Sequence, residues 1–218
     1  MTKIIFSLAS FLIAAFAFGF GAAKLFRAKR PLYLRLLVCA AGCFATEQLS
    51  CAVNLWCGST ETVGVGVIGI FGCIFFLLSA NFGTLDKIVD DGRDSKKARA
   101  LALIAPLGLA LFICAAFIAW MKQDIICAVV WLLILLPSLP ASYFNLKHIL
   151  LPLDPFEFLR VTKPCNICAL FFYTLTAEYV IASAVSTDTV CGILTVLMSL
   201  SMLALSLCAV RGAKKWGI

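Results

Sequence analysis

The sequence predicts an all-α integral membrane protein, a bundle of seven transmembrane helices with no soluble domain. Three observations carry that expectation. Of the 218 residues, 63% are hydrophobic and only 13% charged, whereas soluble domains run at roughly 45–50% apolar and about 25% charged. The apolar residues gather into seven windows, each long enough to supply the ~20 helical residues that cross a hydrocarbon core. No polar stretch between the windows is long enough to build a core of its own.

The windows are Ile4–Phe26, Leu32–Trp56, Val63–Leu85, Ala100–Met121, Ile125–Phe144, Cys165–Val185 and Thr189–Val210. The first exceeds the roughly 7–15 apolar residues of a secretory signal, and its stronger positive flank follows it. It reads as a retained helix. Charge then sets the orientation. Sixteen of the eighteen Lys and Arg fall in the first, third and fifth loops, their helix ends and the C-terminal tail, leaving Lys3 and Lys122 on the other side. The positive-inside rule therefore places the N-terminus outside and the C-terminus inside, with the plasma (cytoplasmic) membrane as the expected location. The net charge of +7 belongs to this topology and to contact with the anionic lipid bilayer. No basic domain exists to hold nucleic acid.

In the first window Gly19 and Gly21 permit close helix approach. Lys24 to Arg30 close it with a basic stop, and Pro31 suits the start of the next helix because its missing N–H is no loss there. The second window is the most polar, with Thr46, Glu47, Gln48, Ser50 and Asn54 in its outer half. Glu47, Ser50 and Asn54 follow i, i+3, i+7 spacing and so share a face. A carboxylate at that depth costs roughly 2.5–3.5 kcal/mol on insertion scales and must face a partner or a wet cavity. The third window carries Gly66, Gly69 and Gly72 at every third position, a pattern for tight helix packing or for backbone that lines a solute path.

Asp86 to Arg99 carries five basic and four acidic residues. Asp90, Asp91 and Asp94 lack the ligand ladder and closing Glu of a calcium loop, so a solvated hairpin with local ion pairs is expected. The fourth window is kinked by Pro106 and Gly108. Pro137 and Pro140 break hydrogen bonds in the fifth, as a hinge or a static break, and His148, the only histidine, is expected at the interface. Pro152 and Pro155 stop helix in the next loop, with Leu150–Leu159 on the membrane surface. The sixth window offers Tyr173, Thr174, Thr176, Glu178 and Tyr179. The seventh has no Lys between Thr189 and Val210, which excludes a retinal Schiff base there; Arg211 to Trp216 form a surface anchor.

Six of the eleven cysteines, Cys39, Cys43, Cys51, Cys73, Cys114 and Cys208, lie within windows and behave as small hydrophobes. Cys57, Cys127 and Cys191 lie near the outer ends, where one disulfide among them is open. Cys165 and Cys168 form a single C-x-x-C without the second pair that zinc usually needs, so helix packing is expected rather than lipidation or redox chemistry. No cofactor and no metal site are expected.

The two halves show a further pattern. Thr46-Glu47-Gln48 and Ala177-Glu178-Tyr179 each precede a short outer loop, Ser59-Thr-Glu-Thr-Val63 and Ser186-Thr-Asp-Thr-Val190. Both units follow a cytoplasmic loop with Tyr33-Leu-Arg35 or Phe158-Leu-Arg160. A single intervening span gives the units one orientation, so they would form a 3+1+3 parallel repeat about an axis along the membrane normal. That plan is similar in architecture to the sugar-transporting SWEET and PQ-loop families, although no Pro-Gln dipeptide occurs in the chain.

Counted inward at 1.5 Å per residue, Glu47 lies ~15 Å and Glu178 ~10 Å from the outer surface. Paired carboxylates there cannot both ionise cheaply, and a shared proton would exchange for a solute. The expected function is a small-solute or proton-coupled transporter with Glu47, Gln48, Ser50, Asn54, Glu178 and Tyr179 as ligand residues. The ligand class is small and polar or cationic. The alternative is a seven-helix sensor or assembly module that acts through a separate membrane or cytoplasmic protein partner. An enzyme is not expected, since no nucleophile with a base and no set of metal ligands is present.

Overall fold

A peptide group in hydrocarbon finds no water, so an apolar chain satisfies its own backbone as helix. The computed structural model describes residues 2–26, 31–58, 67–82, 95–151, 157–185 and 188–215. Every regular element among them is helical: α1 (Thr2–Leu25), α2 (Leu32–Trp56), α3 (Val67–Ala80), α4 (Ser95–Ala102), α5 (Ile104–Met121), α6 (Ile125–Leu135), α7 (Ser138–Leu150), α8 (Glu157–Ala184) and α9 (Asp188–Lys215). Six stretches are long and apolar enough to cross a membrane: α1, α2, α4 with α5, α6 with α7, α8 and α9. α3 is shorter, with 14 residues, and Asn81 and Phe82 extend it in a wider π-type turn. The chain is thus a multi-pass membrane protein. Arg27–Arg30, the outer loop 59–63, Gly66, Asp86–Asp94, Pro152, Pro155, Ser186 and Trp216 lie outside the described residues.

Prolines account for the two interruptions. Pro106 has no N–H to give to the Ala102 carbonyl, and the helix breaks at Leu103 between α4 and α5. Pro137 and Pro140 divide α6 from α7. Serine hydroxyls satisfy carbonyls around that break: Ser138 Oγ donates to Leu135 O at 2.5 Å and Ser142 Oγ to Leu139 O at 2.8 Å. Beyond the break the helix continues to Leu150, six residues past the expected end at Phe144, and carries His148 into the interior with no exposure. His148 is thus shielded by neighbouring helices near the end of α7. α8 likewise begins at Glu157 and runs through Pro164, earlier than the expected Cys165. α9 extends past Val210 to Lys215; Gly212 packs against Val161 and Ala213 is buried, while Arg211 and Lys214 of the expected surface anchor are exposed.

The helices pair in a closed order. α1 packs on α2 and α9, α2 on α3, α3 on α6 and α7, α7 on α8, and α8 on α9. α5 packs on α6, α7 and α8 from outside this ring. Only 22% of the most apolar stretch through α4 and α5 is buried, and Leu107, Leu111 and Ile118 project outward as a lipid-facing surface requires. The ring interior is filled. Phe44 of α2 meets Phe172 of α8 edge-to-face at 5.3 Å, and Cys73 of α3 contacts the Met202 sulfur of α9 at 4.0 Å.

Contacts mark the two ends of the bundle. At one end Lys3 pairs with Asp188 at 2.7 Å; at the other Lys163 donates to the Leu151 carbonyl at 2.7 Å. At the Lys3 end Asp124 caps α6, its side chain accepting from Ile126 N at 2.8 Å and Cys127 N at 3.4 Å. The Cys127 thiol and these two backbone amides hold the Asp124 carboxyl below its ordinary value. No disulfide joins any of the eleven cysteines.

Candidate functional site

Glu47 stands on the inner face of α2, 4% exposed, beside Gln48 at 1%. Its two oxygens are bonded from its own helix. Gln48 Nε2 donates to Oε2, and the Cys51 thiol, one turn on, donates to Oε1 at 3.2 Å. No ion pair reaches Glu47 among the described residues. Across from it runs the backbone of α3. A Cβ added at Gly69 would lie 2.5 Å from Glu47 Cβ and 2.6 Å from the Cys43 carbonyl, and one at Gly72 would lie 3.1 Å from Cys43 Sγ. The repeated glycines therefore bring α3 directly onto the carboxylate-bearing turn of α2.

Tyr179 of α8 reaches the same place, near Glu47 and Cys51. Its ring packs against Trp131 of α6 at 6.4 Å with the planes at 75°. Two polar atoms here are buried with no partner among the described residues: Gln48 Oε1 and Trp131 Nε1. The site thus combines a carboxylate, an unused amide oxygen and two aromatic rings.

Of the six expected ligand residues, the structure gathers Glu47, Gln48 and Tyr179. Ser50 and Asn54 are half-buried on α2, and Cys51 rather than either of them bonds the carboxylate. Glu178 is also half-buried. It shares a face of α8 with Phe171 and Val185, seven residues away on each side and 63% and 64% exposed. No hydrogen bond or ion pair joins Glu178 to Glu47 among the described residues.

A second polar centre, which the linear sequence did not disclose, lies towards the Lys163 end. Asn81 follows α3 and donates to its own Leu77 carbonyl at 3.3 Å and to Asn145 Oδ1 of α7. Asn81 Oδ1 faces His148 Nδ1 at 3.1 Å. Tyr173 of α8 lies beside Asn145, and Tyr33 of α2 donates to Asn166 Oδ1 of α8 at 3.3 Å. Asn81, Asn145, His148, Asn166 and Tyr173 are all at most 1% exposed. Cys73 stands between the two centres, within electrostatic reach of Glu47 and of Tyr173. The one legible signal was Asn145 and His148 at i, i+3; their partners come from distant helices.

Among the described residues no group of three His, Cys, Asp or Glu side chains is placed to hold a metal ion. Cys165 is fully buried, and Cys165, Cys168 and Cys208 lie near one another. Compared with protein-family models, curated proteins and solved structures, the chain matches none.

Proposed function

We propose that the protein is a small-solute or proton-coupled membrane transporter whose binding site centres on Glu47. The observation that carries the reading is a carboxylate 4% exposed inside a membrane-type bundle, with no cation paired to it among the described residues. A charge in that setting must be balanced, and a proton or a cationic solute balances it equally. Gln48 Oε1 supplies an unused acceptor, and the Trp131 and Tyr179 rings supply faces that attract a cation. A small polar or cationic solute fits this set.

In this reading the bundle has seven spans, α3 being the short one, and the Lys3 end faces outward as the distribution of Lys and Arg requires. The order of pairing supports a 3+1+3 plan, because α1–α2–α3 and the run α6/α7–α8–α9 each pair in sequence, with α5 packed against the second of these units. The paired-carboxylate form of the reading has Glu178 joining Glu47 when solute is bound.

The test is accumulation of labelled small amines and neutral polar solutes by cells that express the protein. Glu47→Gln keeps the size of the side chain and removes its charge. It is expected to abolish uptake at unchanged membrane expression, and Glu178→Gln to do so if the carboxylates act as a pair. Full uptake by Glu47→Gln contradicts the proposal and leaves Glu47 as interhelical packing in a sensor or assembly module.

A further inference from the structure

Three of the eleven cysteines meet where α8 packs on α9. Cys165 and Cys168 stand one turn apart on α8, and Cys208 of α9 lies near both. The three are not equivalent. The Cys165 thiol is fully buried and donates to the Val161 carbonyl of its own helix at 3.8 Å. Cys168 and Cys208 are half-buried, and their thiols share a hydrogen bond across the seam.

The packing explains why these two thiols converge. Val161 touches Gly212, and Ser201 Oγ donates to the Cys168 carbonyl at 2.8 Å, so the two helices run in opposite directions. Counted from the Val161–Gly212 contact at 1.5 Å per residue, Cys168 lies ~10.5 Å along α8 and Cys208 ~6 Å back along α9. Side chains tilt towards the N-terminus of their own helix. Cys168 therefore leans towards the Lys163 end and Cys208 leans away from it, and the two tilts close the remaining gap. The C-x-x-C pair lacks this convergence. Its Cβ atoms, three residues apart on one helix, are roughly 5–6 Å from each other, whereas a disulfide needs about 3.5–4.5 Å.

The seam borders the lipid-facing surface. Ile167 and Phe171 flank Cys168 at 44% and 63% exposure, and Leu207 stands beside Cys208 at 36%. Arg211, exposed and one turn beyond Cys208, places a cation near a sulfur that must carry negative charge in order to react.

We infer that Cys168 and Cys208 form an oxidation site, where an organic hydroperoxide dissolved in the bilayer converts the two thiols into a disulfide that ties α8 to α9. The Cys208 thiol gives up its proton, and its sulfur attacks the terminal oxygen of the hydroperoxide. The O–O bond breaks, a sulfenic acid forms on Cys208, and the displaced alkoxide takes the proton and leaves as an alcohol. The Cys168 sulfur then attacks the sulfenic sulfur; the S–S bond forms, and the hydroxyl leaves with the Cys168 proton as water. The two thiols together lose two electrons, and the hydroperoxide gains them. Because Cys168 is already in hydrogen-bond contact, it captures the sulfenic acid before a second oxidation to the sulfinic acid. A small dithiol reverses the link by exchange. None of this depends on the transport reading.

The test treats the purified full-length protein in lipid nanodiscs with cumene hydroperoxide, alkylates the remaining thiols and digests it without reductant. Mass spectrometry is expected to find one peptide pair joined through Cys168 and Cys208, which dithiothreitol separates. The link should form at a lower dose of cumene hydroperoxide than of hydrogen peroxide, since the organic reagent partitions into the bilayer. Oxidised wild type should also unfold at a higher temperature than reduced wild type, whereas oxidised and reduced Cys208→Ser should unfold together. A Cys165–Cys168 link, or sulfinic acid at either residue in place of the joined peptides, overturns the inference. An equal dose requirement for the two peroxides overturns it as well.

Discussion

Glu47 and Asn81 carry the polar interior, and each does so through a different economy of bonds. Glu47 is served by neighbours on its own helix, Gln48 and Cys51, so its environment forms with α2 itself. Asn81 is served by two other side chains of α7 and by its own helix, so its environment exists only once α3 and α7 meet. Asn81→Leu strands Asn145 Oδ1 and breaks the contact to His148. A loss of about 1–3 kcal/mol is expected, read as a lower unfolding midpoint of the purified protein. An unchanged midpoint would show that the α3–α7 contact does not depend on this network. The difference between the two residues also explains what could be read in advance. A carboxylate inside an apolar run is conspicuous in one dimension, and Glu47 was legible for that reason. Glu178 was conspicuous in the same way, yet its face of α8 turns towards Phe171 and Val185. That His148 would be packed inside the bundle was not legible, because its partner Asn81 comes from a distant helix.

Among the elements, α3 depends most on a small residue. Gly69 lets its backbone approach both Glu47 and the Cys43 carbonyl, and the latter is main chain that cannot rotate away. Gly69→Ala is expected to force α3 from α2 and cost about 1–3 kcal/mol by overpacking. Its effect on solute uptake should exceed that of Gly108→Ala, since nothing lies within 4 Å of a Cβ at Gly108. Equal uptake in both variants would remove the link between α3 packing and the Glu47 site. The start of α6 is set by electrostatics instead. Asp124 has a folded-state pKa below its unfolded value, so its contribution is present above the ordinary aspartate range, roughly pH 3.9, and is lost as pH falls through the folded value. Protection of the Ile126 and Cys127 amides, taken relative to their intrinsic exchange rate at each pH, should therefore be high near neutrality and fall in acid, whereas Asp124→Ala should lack it at both. Long apolar runs made the helices legible. Their ends were not, because caps and break-satisfying groups such as Ser138 and Ser142 act only in three dimensions.

At the scale of the whole molecule, hydropathy and charge define a multi-pass bundle, and the packing closes it into a ring with α5 outside. No span sequence contains that closure, because α1 meets α9 and Phe44 meets Phe172 across more than a hundred residues of chain. The ring holds two polar centres, one built on a carboxylate and one rich in donors, with Cys73 between them. The central claim is that Glu47 exchanges a proton for a solute. It is tested most directly in proteoliposomes that enclose a pH-sensitive dye and receive a small amine from outside. Wild-type protein is expected to couple solute entry to proton movement, and Glu47→Gln is expected to lose the coupling completely. Equal proton movement in the two proteins would contradict the account.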